Sequence, residues 1–139
     1  MKLAFLGFSA EATSPAGYLL ISIINPVKKN FLELFGEKEY CPQLDDIFIV
    51  FVCTSKEMQA DGVYKDRKYV SHKNRYADMR LNIDYDMFLQ ASNTERLQMV
   101  WNVIEESINI VFQRVPTLKK EELLNDIKFC IKKHYRDFL

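Results

Sequence analysis

The chain has 139 residues, of which 48% are hydrophobic and 13% aromatic, with only four Gly and four Pro, a composition that excludes a repeat array and a disordered protein. Its 19 basic and 19 acidic residues balance, so no overall charge argues for a nucleic-acid or membrane-surface protein. The length suits one folded domain with its own core, and we predict a single domain over residues 1–139.

The three cysteines, Cys41, Cys53 and Cys130, form neither a disulfide framework nor a zinc motif. Cys53 and Cys130 lie in apolar patterns, so we expect both to be small buried hydrophobes. No apolar run in the sequence approaches the length needed to span a bilayer. These features favour a reducing, cytoplasmic setting without a membrane partner.

The amino-terminal half predicts a strand, a helix and a second strand. Residues 1–8 are apolar but lack the cleavage site of an export signal, so we interpret them as a first strand. A helix should begin at Ser14-Pro15 and end near Gly36. Pro26 removes one internal hydrogen bond, so this helix should be kinked or split, and its continuity stays open. The β-branched and aromatic run 47–53 predicts a central strand covered on both faces.

The middle of the chain predicts a hairpin with one polar face. Residues 62–72 should form a strand whose alternation slips as it would at a bulge or an exposed edge, followed by a turn at Lys73-Asn74. Residues 76–85 then alternate strictly, so that apolar residues face the core and polar residues share the other face. The polar face consists of Tyr76, Asp78, Arg80, Asn82 and Asp84.

Helices should complete the chain. A short helical turn is expected at 86–89, and the capping box from Ser92 to Glu95 predicts the start of a long helix that ends at Pro116 and holds Trp101 in the core. Thr117 is predicted to cap a last helix. Its inward stripe is Leu124, Ile127, Ile131, Tyr135 and Phe138. The order β-α-β-β-β-α-α predicts the α+β class, with an antiparallel sheet of about four strands and amphipathic helices on one face.

The sequence offers no catalytic constellation. His72 and His134 lie outside any metal or triad motif, and the adjacent carboxylate pairs, such as Glu105-Glu106, point their members in different directions. The four glycines are isolated, so there is no phosphate-binding loop. We therefore predict no catalytic, cofactor-binding or metal-binding residues and a protein that is not an enzyme.

Two regions carry local charge. Residues 65–80 hold six basic residues against two acidic ones, Asp66 and Asp78, and the hairpin 64–80 also contributes Tyr64, Tyr69 and Tyr76. Basic residues interleaved with aromatics suit single-stranded nucleic acid, although a solvated, charge-protected sheet edge explains them too. The balanced total charge and the two acidic residues weigh against nucleic acid. The segment that follows the first helix is acidic instead and contains Glu37, Glu39, Asp45 and Asp46.

Three stretches carry a family resemblance. They are residues 64–71, residues 77–88 and the helix over 97–111, and the pattern R-x-x-D-x-R-L-x-I-D-Y-x-x-F over 75–88 is the most specific part. The chain resembles small bacterial immunity proteins that protect against polymorphic or contact-dependent growth-inhibition toxins. The likeness covers roughly the middle two-thirds of the chain.

The resemblance implies a function. Such a protein binds the carboxyl-terminal domain of its cognate toxin in the cytoplasm and blocks it stoichiometrically, without catalysis. Many such toxins are nucleases with basic clefts, so the acidic residues Glu37, Glu39, Asp45 and Asp46 are the first candidates for contact. The second candidates are Asp78, Arg80 and Asp84 on the polar strand face. A structural pairing of Asp78 and Arg80 with Arg67 or Lys65 competes with that second choice. The alternative function is a small RNA- or DNA-binding domain that uses the hairpin 64–80.

Overall fold

The computed structural model describes residues 2–6, 15–55 and 65–136. The strands are β1 (Lys2–Leu6), β2 (Asp46–Thr54), β3 (Arg67–Ser71) and β4 (Tyr76–Asp84). The helices are α1 (Pro15–Phe35), α2 (Tyr85–Gln90), α3 (Asn93–Arg114) and α4 (Lys120–His134). The predicted α+β class is confirmed, and the helical turn expected at 86–89 is the short helix α2. Phe138 and Tyr64, and the part of the predicted third strand before residue 65, lie outside the described residues.

The sheet is mixed, so the predicted antiparallel sheet is wrong. Its strand order is β1-β2-β4-β3, in which β1–β2 and β2–β4 are parallel and only β3–β4 is antiparallel. Neighbouring strands joined through a helix run parallel, and α1 connects β1 to β2 in this way. The strand β3 then lies outside β4 instead of between β2 and β4. Among the described strands, the turn over 72–75 joins the antiparallel pair, β3 and β4.

The central strand β2 is buried along most of its length, as predicted, and its pleat divides the sheet into two faces. One face packs against the helices and is lined by Ile47, Ile49, Phe51, Cys53, Ala77, Met79, Leu81 and Ile83. The capping box of Ser92 and Glu95 begins α3, as predicted, and Trp101 on that helix belongs to the core. Each large side chain buried in this core contributes about 1.5–3 kcal/mol to the stability of the fold.

The connection between α3 and α4 differs from the prediction. The residue that precedes α4 is Lys119, and it provides no side-chain cap, so the expected cap by Thr117 is wrong. The Thr117 hydroxyl donates instead to the side chain of Gln43. The amide of Lys119 donates to the carbonyl of Tyr40 at 2.8 Å, and Leu118 is buried. These contacts hold the connection against the loop that follows α1. The Thr117 hydroxyl bonds to that loop and not to the start of α4.

Helix α1 is continuous through Pro26. Proline has no amide hydrogen, so the carbonyl of Ser22 one turn earlier loses its helical donor. The hydroxyl of Tyr135, just beyond α4, lies 2.9 Å from the carbonyl oxygen of Ile23 and 3.5 Å from that of Ser22. Burial raises the pKa of this hydroxyl, which keeps it protonated and able to donate. Tyr135 therefore bonds mainly to the Ile23 carbonyl and compensates the neighbouring Ser22 carbonyl only in part.

We predict that Tyr135→Phe lowers the free energy of unfolding by about 1 kcal/mol, because it removes this donor. In a Pro26→Ala background the Ser22 carbonyl regains an amide donor while the bond to Ile23 remains, so the same change should cost somewhat less. Urea denaturation of the four proteins in the cycle measures the coupling, and Tyr18→Phe, at an exposed position, is the control with no expected effect. Strictly additive costs would contradict the compensation.

Candidate functional site

The sheet face that points away from the helices, called the outer face here, carries the polar residues of β4. Alternation and register place it on three adjacent strands. From β2 it receives Asp46, Phe48, Val50, Val52 and Thr54; from β4, Tyr76, Asp78, Arg80, Asn82 and Asp84; from β3, Arg67, Tyr69 and Ser71. The predicted polar strand face is therefore one row of a larger face, on which Val50, Val52, Thr54, Ser71 and Asp78 are buried.

Asp78 lies at the centre of this face between two arginines. The Nε of Arg67 is 3.3 Å from its Oδ2, and Arg80 places Nε 3.3 Å from Oδ1 and Nη2 3.2 Å from Oδ2. The Asp78 side chain is only 11% exposed, whereas each arginine side chain is 48% exposed. A buried carboxylate requires such pairing, because an unpaired charge would cost several kcal/mol. The contact with Arg67 is the one named above as the structural alternative.

Aromatic rings extend the cluster across the sheet. The guanidinium carbon of Arg67 lies 5.0 Å from the ring centroid of Tyr69. The rings of Tyr69 and Tyr76 are 5.8 Å apart, and those of Tyr76 and Phe48 are 6.2 Å apart. These rings stand on three strands, so only the assembled sheet brings them together. We call Arg67, Tyr69, Asp78, Arg80, Tyr76 and Phe48 the arginine–tyrosine patch.

The acidic residues that follow α1 lie at the end of the sheet where β2 and β4 begin. Asp45 pairs with Arg75 at 3.1 Å, and Glu39 accepts from the amide of Cys41. Asp46 opens β2 opposite Tyr76, so it borders the outer face, while Glu37 is exposed in the preceding loop. Strand spacing and rise put the backbone of Asp46 about 8 Å from that of Asp78. The outer face therefore has an acidic end next to its arginines.

The acidic loop is fixed to α4 by a hydrogen-bonded cluster. Tyr40 is buried and its hydroxyl donates to Asp126 at 2.6 Å. Lys38 lies 2.7 Å from both Asp126 and Glu122. Burial, followed by the bond to Asp126, raises the pKa of Tyr40, and the bonds to Asp126 and Glu122 raise the pKa of Lys38. These hydrogen bonds and ion pairs of Lys38 and Tyr40 hold the acidic loop against α4.

Asp84 is separated from the other candidates. It pairs with Thr54 at the far end of β4, about 26 Å along the strands from Asp46. Its side chain accepts from the amide of Met87 at 2.9 Å and thereby caps α2. The structure thus gives Asp84 a local structural role and does not bring it together with the acidic loop.

The basic hairpin is partly neutralised. Arg67 and Arg80 face Asp78, and Arg75 faces Asp45, so three of its six cations contact a carboxylate. The other three, Lys65, Lys68 and Lys73, are exposed. The hairpin strand β3 lies at the sheet edge, and Arg114 donates to the carbonyl of Lys68 there. These features fit a charge-protected edge better than a continuous phosphate-binding surface.

The two histidines of the chain lie far apart among the described residues. A cleft of about 380 Å³ between α1, α3 and α4 is lined by His134 and Arg136, but the described lining contains no carboxylate. His72 lies elsewhere, exposed in the turn between β3 and β4. Within residues 2–6, 15–55 and 65–136 no three metal-ligating side chains converge, and no helix of that part is long and apolar enough to cross a membrane.

The cysteines are buried, as expected for Cys53 and Cys130. Burial raises the pKa of the Cys130 thiol to about 11, which keeps it protonated and unreactive. Cys41 is buried as well and lies beside the side chains of Gln43 and Thr117.

Sequence reasoning missed how the patch is assembled. The sequence predicts Tyr76 on the polar strand face and Arg67 as a structural partner of Asp78, but it connects Tyr69 only with the nucleic-acid alternative and assigns Phe48 to a strand covered on both faces. The signal that could have found them is the parallel register that sets Phe48 opposite Asp78, which a prediction of antiparallel pairing obscures.

The geometry defines an α+β domain with a charged and aromatic cluster on one face of its sheet. A family model described as immunity protein 44 matches residues 1–133. This is a family of immunity proteins of polymorphic toxin systems. The chain belongs to the immunity protein 44 family. Neither the comparison with curated proteins nor that with solved structures gave a match.

The cluster around Tyr40 predicts sensitivity to alkali. Because the folded pKa of Tyr40 is raised, its contribution to stability is complete below the unfolded value of about 10 and is lost as pH rises above it. Tyr40→Phe should cost about 1 kcal/mol at about pH 8 and progressively less at about pH 11. Urea denaturation at both pH values measures this difference. The exposed Tyr18→Phe variant should keep the wild-type pH dependence, and a cost for Tyr40→Phe that does not change with pH would refute the prediction.

Proposed function

We propose that this protein neutralises the carboxyl-terminal effector domain of a cognate toxin by forming a stoichiometric complex with it in the cytoplasm of the producing cell. Membership of the immunity protein 44 family supports toxin neutralisation as the general role. The observation that carries the proposed mode of action is the arginine–tyrosine patch, a cluster of charged and aromatic side chains on the sheet face opposite the helices.

The composition of the patch supports binding to a protein. Tyrosine and arginine dominate the energetically important residues of protein interfaces, because they combine a large contact area with directed hydrogen bonds. Tyr69 is 41% exposed, and the arginines on either side of Asp78 are about half exposed. The patch rests on three hydrogen-bonded strands, so it is already ordered and loses little conformational entropy when a partner binds.

The acidic loop supplies a second contact in the proposed complex. We infer that the toxin is a nuclease, whose cleft must be basic to hold phosphates, and that Glu37, Glu39, Asp45 and Asp46 face this cleft. The anchoring of Tyr40 and Lys38 to α4 supports the proposal, because it presents the loop in a fixed position. Opposite charges would accelerate encounter with the cognate toxin, and a toxin with a different charge pattern would leave charges unpaired.

The remaining strand candidates have unequal roles in the proposal. Arg80 contributes an exposed cation, whereas Asp78 orients the two arginines from a buried position. Asp84 lies at the opposite end of the strand and caps α2, so any contact it makes would be at the periphery.

Co-expression with the toxin domain encoded beside the gene tests the function. We expect the two chains to co-purify in equal amounts and the cell to survive, whereas the toxin domain alone should arrest growth. Failure of both co-purification and rescue would exclude the proposal. Release of the toxin domain by excess wild-type competitor distinguishes a reversible complex from a permanent modification of the toxin.

Reversal of the acidic loop tests its part in the complex. Replacement of Glu37, Glu39, Asp45 and Asp46 by Lys should abolish rescue, while thermal unfolding shifts only slightly, because exposed ion pairs such as Asp45–Arg75 contribute about 0–1 kcal/mol. The control reverses four exposed acids elsewhere: Asp86, Glu105, Glu106 and Glu121. The control changes the net charge equally and should still rescue. If both variants rescue, the acidic loop does not contact the toxin.

A further inference from the structure

We infer that the protein forms a reversible dimer with a second copy of itself, in which the outward side of α4 pairs antiparallel with the same side of the partner near Phe129. This association is independent of the proposed function and adds an assembly state to it. Three features support the dimer: exposed apolar side chains on α1 and α4, the order of charges along α4, and the attachment of α4 to the rest of the domain.

Apolar side chains are exposed where α1 and α4 lie side by side. Phe129 on α4 is 55% exposed, and the centroid of its ring lies 6.1 Å from that of Phe35 on α1. Leu32 is a neighbour of Phe35 on the same helix, at i, i+3 spacing, and is 49% exposed. One exposed apolar residue needs no explanation, but adjoining residues on two helices form a patch of the kind that marks an interaction surface.

The charges along the outward side of α4 are ordered. Helical spacing places six residues there, which we call the α4 face: Glu121, Glu122, Asn125, Phe129, Lys132 and Lys133. The two acids lie about two turns before Phe129, and the two lysines lie about one turn after it. Both acids contact a lysine of their own chain, but their side chains still reach solvent.

This order makes the α4 face complementary to itself. When two copies of α4 pair antiparallel about a two-fold axis near Phe129, the basic end of each helix meets the acidic end of the other. The two Phe129 rings then cover each other at the centre. A two-fold interface requires such a surface, because every contact from one copy to the other is repeated in the reverse direction.

The helix dipole explains only part of this pattern. Acids in the first turn and bases in the last turn stabilise a helix on its own. The dipole does not account for a phenylalanine between them that is more than half exposed, since contact between an apolar ring and water is unfavourable. A second copy covers the ring and pairs the charges at both ends of the face.

The mixed charge of the α4 face favours a second copy over a partner with one dominant sign of charge. A nucleic acid would be attracted by Lys132 and Lys133 but repelled by Glu121 and Glu122. The basic cleft of a nuclease would be attracted by the two acids and repelled by the two lysines. The same chain, turned by the two-fold axis, satisfies both ends.

Helix α4 is attached to the domain, so the α4 face is ordered before a partner arrives. It packs on α1 and α3, and its Asp126 accepts from the hydroxyl of Tyr40 at 2.6 Å. Pairing of ordered helices loses less conformational entropy than binding of a mobile segment. The outer face of the sheet points away from the helices, so the dimer does not use the arginine–tyrosine patch.

The size of the face sets the expected strength of the dimer. From Glu121 to Lys133 the helix rises about 18 Å, and α1 beside it widens the face to about 20 Å. This footprint is small for a specific interface, which buries about 600 Å² or more on each partner. We therefore expect a weak association, with a Kd of about 10–100 µM.

Sedimentation velocity of the full chain over about 1–500 µM tests the dimer. Phe129→Ser should weaken the association at least about 10-fold, because it removes the central apolar contact. The matched control is Met87→Ser, which removes an exposed apolar side chain from α2 and should change the Kd by less than about 2-fold. A wild-type chain that is monomeric up to about 500 µM, or a dimer that Phe129→Ser does not weaken, would overturn the inference.

A charge exchange tests the antiparallel pairing. Lys132→Glu with Lys133→Glu makes the α4 face wholly acidic, and Glu121→Lys with Glu122→Lys makes it wholly basic. Each double variant alone should associate at least about 10-fold more weakly than wild type, because like charges then meet at both ends. An equimolar mixture should form a heterodimer at least about as tight as the wild-type dimer. A mixture that stays monomeric would overturn the pairing.

The toxin domain encoded beside the gene separates this inference from the proposed function. Phe129→Ser should still bind the toxin domain and rescue growth, because the acidic loop and the outer face are unchanged. If the wild-type chain is monomeric and Phe129→Ser loses toxin binding, the α4 face binds the toxin and the dimer is wrong. If the wild-type chain dimerises but neither binds the toxin domain nor rescues growth, the proposed function fails and the dimer stands.

Discussion

The parallel pairing of β2 with β4 determines the rest of the structure. Its register places Phe48 opposite Asp78 and Val50 opposite Arg80. Paired residues of the two strands therefore point to the same side of the sheet, either toward the helices or toward the outer face. A shift of one residue would exchange the two faces and bury Asp78 and Arg80 among the helices. Because the apolar residues of both strands must meet α3, the same constraint that forms the core also assembles the charged surface.

Asp78 shows how that surface is stabilised. A carboxylate at a nearly covered position is unfavourable unless cations meet it, and here each neighbouring arginine comes from a different strand position. The ion cluster joins the edge strand β3 to β4, so this edge strand is held by side chains as well as by its backbone.

The sequence predicted features that depend on short-range order. Alternation along residues 76–85 gave the polar face of β4, the capping box gave the start of α3, and the apolar run at 47–53 gave a buried central strand. The sequence predictions failed where the structure depends on contacts between segments that are distant in the chain. The direction of β2 relative to β4 depends on the path of the chain between them, and Thr117 loses its capping role because the loop near Tyr40 binds the α3–α4 connection.

The candidate site shows the same difference between features set by neighbouring residues and features set by distant segments. The acidic and basic segments are visible in the sequence composition, but the burial of Asp78 and its pairing with Arg67 arise only when the strands are side by side. Likewise, Asp84 looked equivalent to Asp78 in the alternating pattern, yet its position at the end of the strand assigns it to the start of α2. Which charge is available to a partner is a property of the assembled sheet.

The tie between Tyr135 and the Pro26 region has a practical meaning for the limits of the folding unit. The family match ends at residue 133, two positions before the tyrosine whose hydroxyl reaches the carbonyl of Ile23. A recombinant protein that ends at residue 133 would keep all four strands of the described sheet but lose this hydrogen bond between the α1 region and the end of α4. The region required for full stability is therefore longer than the region that the family model matches.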